Sequence, residues 1–167
     1  DTLNAVDTVR LNFNGTFRVA SASGVRYNAT FGPLAVGTYR YNWTVNDSLG
    51  STNTTQTFVY TVDKATPLLN ITFRPSSNVT FGFNANTTCN ITIGDGNAAL
   101  QLFKNGTLIN TGTSPISNLT NDAAGTYNYT CTYAESQNFT TTSQESILTV
   151  SKAPSILILT FIGRLGV

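Results

Sequence analysis

The chain has no histidine and no methionine, and only 10% of its 167 residues are charged, against roughly 25% in soluble proteins. Without histidine, the usual imidazole base and the mixed Cys/His ligand sets of zinc are ruled out. Nine Lys and Arg against eight Asp and Glu leave a formal net charge of +1. That balance provides no electrostatic footprint for nucleic acid or an anionic membrane surface. The longest strongly apolar run, Ile156 to Ile162 interrupted by Thr160, falls far short of the ~20 residues that a spanning helix needs. No basic segment followed by an apolar one opens the sequence, so no secretion signal is read in this window. We therefore expect no nucleic-acid partner, no membrane insertion here and no cofactor.

Uncharged polar residues stand in for the missing charge: 19 Asn, 29 Thr and 13 Ser. A hydrophobic fraction of 40%, with 11% aromatics, still suffices for a packed core. Sliding the chain by 88 positions aligns Gly37-Thr38-Tyr39 with Gly125-Thr126-Tyr127, and pairs Tyr41 with Tyr129, Gln56 with Gln144, Val62 with Val150 and Lys64 with Lys152. Upstream the offset becomes 91, matching Leu11 and Asn14-Gly15-Thr16 to Leu102 and Asn105-Gly106-Thr107. Within each copy, Tyr39, Tyr41, Trp43 and Val45, or Tyr127, Tyr129, Cys131 and Tyr133, alternate with polar residues. A period of two means strands with one apolar face and one wet face. Asn-Gly fits a two-residue hairpin turn, since both residues tolerate positive φ. Short alternating strands in a unit of about 90 residues predict an all-β chain of two tandem antiparallel sandwiches.

The Gly-Thr-Tyr strand, the Ser136-Gln137-Asn138-Phe139 turn and the Ile147-Leu148-Thr149-Val150 strand resemble immunoglobulin-like repeats of secreted prokaryotic surface or filament proteins. Such sandwiches serve as spacers, adhesins and filament subunits alike. The resemblance implies that Cys89 lies on the second strand and Cys131 on the sixth, bridging the two sheets. It also implies that Tyr129 is a tyrosine-corner residue. Closing the loop of about 43 residues between the cysteines would stabilise the second copy by roughly 4 kcal/mol on the chain-entropy model. Two separate buried thiols in a reducing compartment are the alternative. In the first copy Trp43 takes the place of Cys131 and is expected to fill the core there.

Asn-X-Ser/Thr sequons occur at Asn14, Asn28, Asn42, Asn46, Asn53, Asn70, Asn78, Asn86, Asn90, Asn105, Asn118, Asn128 and Asn138. That is 13 of the 19 asparagines, whereas random placement gives roughly five at this Ser and Thr content. On a strand, the Asn and Thr of a sequon share the wet face while the middle residue turns inward. N-linked glycans and an extracellular location are therefore expected, and these also oppose the reduced-thiol alternative. None of the thirteen has Asp or Glu two residues before the Asn, so the short archaeal or eukaryotic consensus fits, and we favour archaea.

The repeat register divides the chain into residues 1–64, a sandwich lacking its own first strand; residues 65–152, a complete sandwich; and residues 153–167, an orphan strand restarting the Lys-Ala motif. Two readings account for the ends. The chain is a window from a longer tandem array, or the strand carrying Ile156, Leu157, Ile158, Leu159, Phe161 and Ile162 completes the first sandwich of another copy, joining copies head to tail. The first reading leads to an adhesin or carbohydrate-binding stalk module, the second to a filament subunit. Eight scattered carboxylates without a His suit solvated loops better than acid-base catalysis. Gly94-Asp95-Gly96 lacks the ligand pattern of a calcium loop. Lys64 and Lys152 fall at junctions, not at the core-facing strand positions that an isopeptide bond requires. No enzyme activity is expected.

Overall fold

The computed structural model describes residues 5–159. The chain divides into two compact units, Asp1–Ala65 and Thr66–Val167. Every described regular element is a strand.

Unit 2 is built from β8 (Leu68–Arg74), β9 (Asn78–Thr80), β10 (Ala85–Ile93), β11 (Leu100–Lys104), β12 (Thr107–Gly112), β13 (Ile116–Thr120), β14 (Gly125–Tyr133) and β15 (Thr142–Ser151). They form a three-stranded sheet, β13-β10-β8, and a five-stranded sheet, β12-β11-β14-β15-β9, in which β9 runs parallel to β15. Alternation along β10 and β14 turns Ala85, Thr87 and Cys89, and Tyr129, Cys131 and Tyr133, into the interior. Leu100, Leu102, Leu148 and Val150 complete a closed core.

Unit 1 contains β1 (Val6–Phe13), β2 (Thr16–Val19), β3 (Ser21–Ser23), β4 (Arg26–Asn28), β5 (Gly37–Asp47), β6 (Thr52–Thr54) and β7 (Phe58–Val62). Its main sheet follows the order β2-β1-β5-β6, and β7 also pairs with β5. The repeat carries into the hydrogen-bond register. Leu11 pairs with Trp43 and Phe13 with Tyr41, as Leu102 pairs with Cys131 and Lys104 with Tyr129. Tyr39 meets Tyr60 as Tyr127 meets Leu148. Both hairpins between the first two of these strands turn on Asn-Gly with positive φ, at 50° and 86° for Asn14-Gly15 and at 48° and 80° for Asn105-Gly106. β6 and β7 together replace β15. In the gap between them, the Trp43 amide donates to Thr55 Oγ1 at 3.0 Å.

Unit 1 lacks more than an opening strand: in the repeat register the first copy has nothing equivalent to residues 67–91. Among the described residues it has no counterpart of β8, β9 or β10. Against the main sheet the loop 29–36 places Phe31, Gly32 and Leu34, and the hairpin β3-β4 forms a separate two-stranded sheet. Residues 152–159 form no strand, so a strand over Ile156 to Ile162 is not seen, and Phe161 and Ile162 lie outside the described residues.

Candidate docking face and glycan sites

The inner face of the unit 1 sheet is aromatic because β1, β5 and β7 all place their apolar phase on the same side. Phe13, Tyr41, Trp43 and Tyr60 join Leu11 and Val62 there, and together with Phe31, Gly32 and Leu34 they line a cleft of about 510 Å³. Phe31 covers one corner, with its ring 4.2 Å from that of Phe13. Arg18 holds this cover: its guanidinium lies 4.6 Å from the Phe31 ring centre and donates to the Thr30 carbonyl at 3.0 Å. Leu11 is buried at the base of the cleft, and the face opens toward Tyr60. Tyr60 is 51% exposed, whereas its repeat counterpart Leu148 is fully buried. Trp43, expected to be core, is half-buried on the cleft wall, because the strand that would cover it is absent from unit 1.

The tail offers matching chemistry. Ile156, Leu157, Ile158 and Leu159 are 72–88% exposed, four consecutive aliphatic side chains in water. A strand with apolar residues on both faces is at home only where both faces are covered.

Cys89 and Cys131 form a disulfide, with Cα atoms 6.4 Å apart, joining β10 to β14 across the two sheets of unit 2. Such a bridge belongs to oxidising compartments. The tyrosine corner falls elsewhere than expected. Tyr129 is fully buried between the sheets, with its hydroxyl 3.4 Å from that of Thr120. It is Tyr127, at the start of β14, whose hydroxyl donates to the Ala123 carbonyl at 2.8 Å. Unit 1 repeats the bond between Tyr39 and Ala35 at 2.7 Å. A tyrosine at the strand's first turn can reach back past the sheet edge, whereas one two residues further along is committed to the core.

The sequons sort by geometry. At Asn70, Asn78 and Asn128 the Asn is exposed while Ile71, Val79 and Tyr129 point inward, as the strand argument requires. Asn86 and Asn90 occupy the same phase of β10, and Asn90 stands directly opposite Asn70. Asn42 lies half-buried on β5, opposite Asn12. Asn28 is exposed at the end of β4 and Asn53 at the centre of β6, and Asn46 and Asn138 are near turns. Asn14 and Asn105 sit in the hairpin turns, where Asn105 Oδ1 accepts the Asn128 amide at 2.8 Å. Asn118 reverses the phase. Leu119 is 65% exposed, and Asn118 turns inward opposite Thr87, with its Oδ1 buried and lacking a hydrogen-bond partner.

No protein-family model and no curated protein matches the chain. Among solved structures, similar chains include the fibronectin(III)-like modules of Clostridium thermocellum CbhA, at 16% identity over 96% of this chain and 86% of that one, with a TM-score of 0.43. An amphioxus IgVJ-C2 molecule matches at 17% identity over 89% and 92%, with a TM-score of 0.45. The fibronectin-III array of RIM-binding protein matches at 13% over 93% and 61%, with a TM-score of 0.39. The fold is all-β and immunoglobulin-like. With these scores under 0.5, that assignment stands on the strand order, the inter-sheet disulfide and the tyrosine corners.

Sequence reasoning did not find the ion pair between Lys104 Nζ and Asp122 Oδ1. Lys104 Nζ also lies 4.4 Å from the Tyr127 ring centre. The signal was present between the copies. Lys104 and Asp122 correspond to Phe13 and Leu34, so the two positions change from charged to apolar together. Two other carboxylates support turns: Asp47 Oδ1 accepts the Leu49 and Ser51 amides, and Asp95 Oδ1 accepts that of Asn97, whereas Glu145 Oε1 accepts the Thr130 hydroxyl between β14 and β15 at 3.3 Å.

Proposed function

We propose that this chain is a structural subunit of an extracellular, N-glycosylated filament or surface appendage, archaeal in origin, in which copies join head to tail by strand donation. The carrying observation is the contrast between the two repeats. One aromatic sheet face is closed in unit 2 and open in unit 1, while the same chain exposes a four-residue aliphatic stretch. The repeat offset aligns Leu157, Leu159 and Phe161 with Leu69, Ile71 and Phe73. In unit 2, Phe73 meets Tyr129 with ring centres 5.5 Å apart. The donated strand therefore lays Leu157, Leu159 and Phe161 against Tyr41 and Trp43 of the acceptor. This role is mechanical and requires no catalytic group.

Trp43, the sole tryptophan, is a built-in reporter of the cleft. Adding a synthetic peptide of residues 153–163 to the chain is expected to shift Trp43 emission to the blue and to saturate. A peptide with Asp in place of Leu157 and Leu159 is expected to do neither. An unchanged emission with the native peptide contradicts strand donation. If the emission responds instead to oligosaccharides, the cleft is the binding groove of an adhesin.

A further inference from the structure

Unit 2 carries a second apolar feature that neither its core nor its glycan sites use. Between β9 and β10 the chain turns through Phe81-Gly82-Phe83, with Gly82 at φ +95°. Phe81 is 50% exposed and Phe83 66%. The turn is held in place by its backbone. The Phe83 amide donates to the Thr80 carbonyl at 3.1 Å, and the Asn121 side-chain amide reaches both the Gly82 carbonyl and Asn84 Oδ1 at 3.3 Å. Two phenylalanines fixed in water on a braced turn cost hydration free energy without serving the fold, the signature of a contact surface.

Its position identifies the occupant. The Phe81 amide donates to the Ser151 carbonyl at 2.8 Å, so the turn sits where the chain leaves β15 for the tail. Chain entry at Leu68 lies at the other end of the sandwich, since Leu68 pairs with Ile93 while Arg74 pairs with Asn86 beside the turn. From Ser151 to Ile156 are five residues, spanning at most about 17 Å when extended. Whatever receives the tail is held within that reach of Phe81 and Phe83.

We infer that Phe81-Gly82-Phe83 is the second contact of the head-to-tail junction, packing on unit 1 of the copy that receives the tail. This rests on the strand-donation reading and adds a surface to it. The tail supplies the strand, and the phenylalanine turn sets the angle between successive copies. Ordered burial of two aromatic side chains favours one orientation over the free swivel that a flexible connection at residues 152–155 would permit.

The test uses the full-length chain with the photoreactive p-benzoylphenylalanine at position 83, irradiated under assembling conditions, with cross-linked peptides read by mass spectrometry. A cross-link to residues 5–62 of another copy is the expected result. In parallel, Phe81→Ser/Phe83→Ser is expected to raise the concentration needed for assembly about tenfold or more, while its melting temperature stays at the parent value. Unchanged assembly by this variant, or a cross-link confined to its own unit, overturns the inference and leaves strand donation standing. Binding of the parent to phosphatidylcholine vesicles, lost in the double variant, overturns it in favour of a lipid surface. If the parent stays monomeric by light scattering at every concentration, with no response of Trp43 to the tail peptide, strand donation itself fails and this contact fails with it.

Discussion

Lys104 and Asp122 carry charge into a half-buried place beside two tyrosines, where unit 1 puts Phe13 and Leu34. One carboxylate oxygen of Asp122 is buried without a hydrogen-bond partner, so removing the ammonium leaves a nearly uncompensated charge. Replacing Lys104 with Phe is expected to cost about 2 kcal/mol in urea unfolding, and the double change Lys104→Phe/Asp122→Leu less than half of that. Equal losses in single and double variants contradict coupling. The tyrosine corners are simpler. Tyr127→Phe removes one neutral hydrogen bond and nothing else, an expected loss of about 1 kcal/mol. At this scale the direction of a side chain is legible in the sequence and its depth is not. Alternation told which residues share a face, but not how far along the sandwich a tyrosine sits, so Tyr129 was given the role that Tyr127 performs. Alternation does not give the phase of β13 either, which turns Asn118 inward to a half-buried place and Leu119 out. Glycopeptide mapping of native material is expected to find Asn70 and Asn128 occupied and Asn118 bare. Occupied Asn118 contradicts the inward placement of that side chain.

Strands were legible wherever turn chemistry bounded them. The Asn-Gly pairs fix β1-β2 and β11-β12 through positive φ, and the Gly-Thr-Tyr repeat fixes β5 and β14. Less legible was the division of one strand into β6 and β7. It depends on a Thr55 hydroxyl taking over a bond to the Trp43 amide, and no periodicity announces that. The disulfide is the strongest brace between the two sheets of unit 2. It closes a loop of 42 residues in sequence separation, and the chain-entropy model assigns such a loop about 4 kcal/mol. Cys89→Ala/Cys131→Ala is expected to lower unit 2 stability by about that amount, measured by chemical unfolding, with little change in Trp43 emission from unit 1. A shift of the Trp43 signal on losing the bridge contradicts the independence of the two cores.

The two repeats share a register and differ in closure. Unit 2 buries its aromatic and aliphatic face beneath β8, β10 and β13, while unit 1 covers part of the equivalent face with Phe31, Gly32 and Leu34 of a loop. Repeat arithmetic on the sequence locates this difference, since residues 67–91, which have no equivalent in the first copy, carry β8, β9 and most of β10; the apolar phase of a strand reveals that a cover is needed, and not what supplies it. A chain with so few charges and such an open face needs another source of solubility. In the proposed reading, glycans on the outer phases of β8, β10 and β14 would supply that hydration and leave the cleft clear. Enzymatic removal of the glycans is accordingly expected to promote lateral aggregation and to spare head-to-tail joining, visible as bundling of otherwise unchanged filaments. The most direct measurement is helical reconstruction of native material by cryo-electron microscopy, asking which chain covers Tyr41, Trp43 and Tyr60. Strand donation requires residues 156–162 of a neighbouring copy on that face. A covering strand from the same polypeptide, or an empty face in an assembled filament, contradicts it.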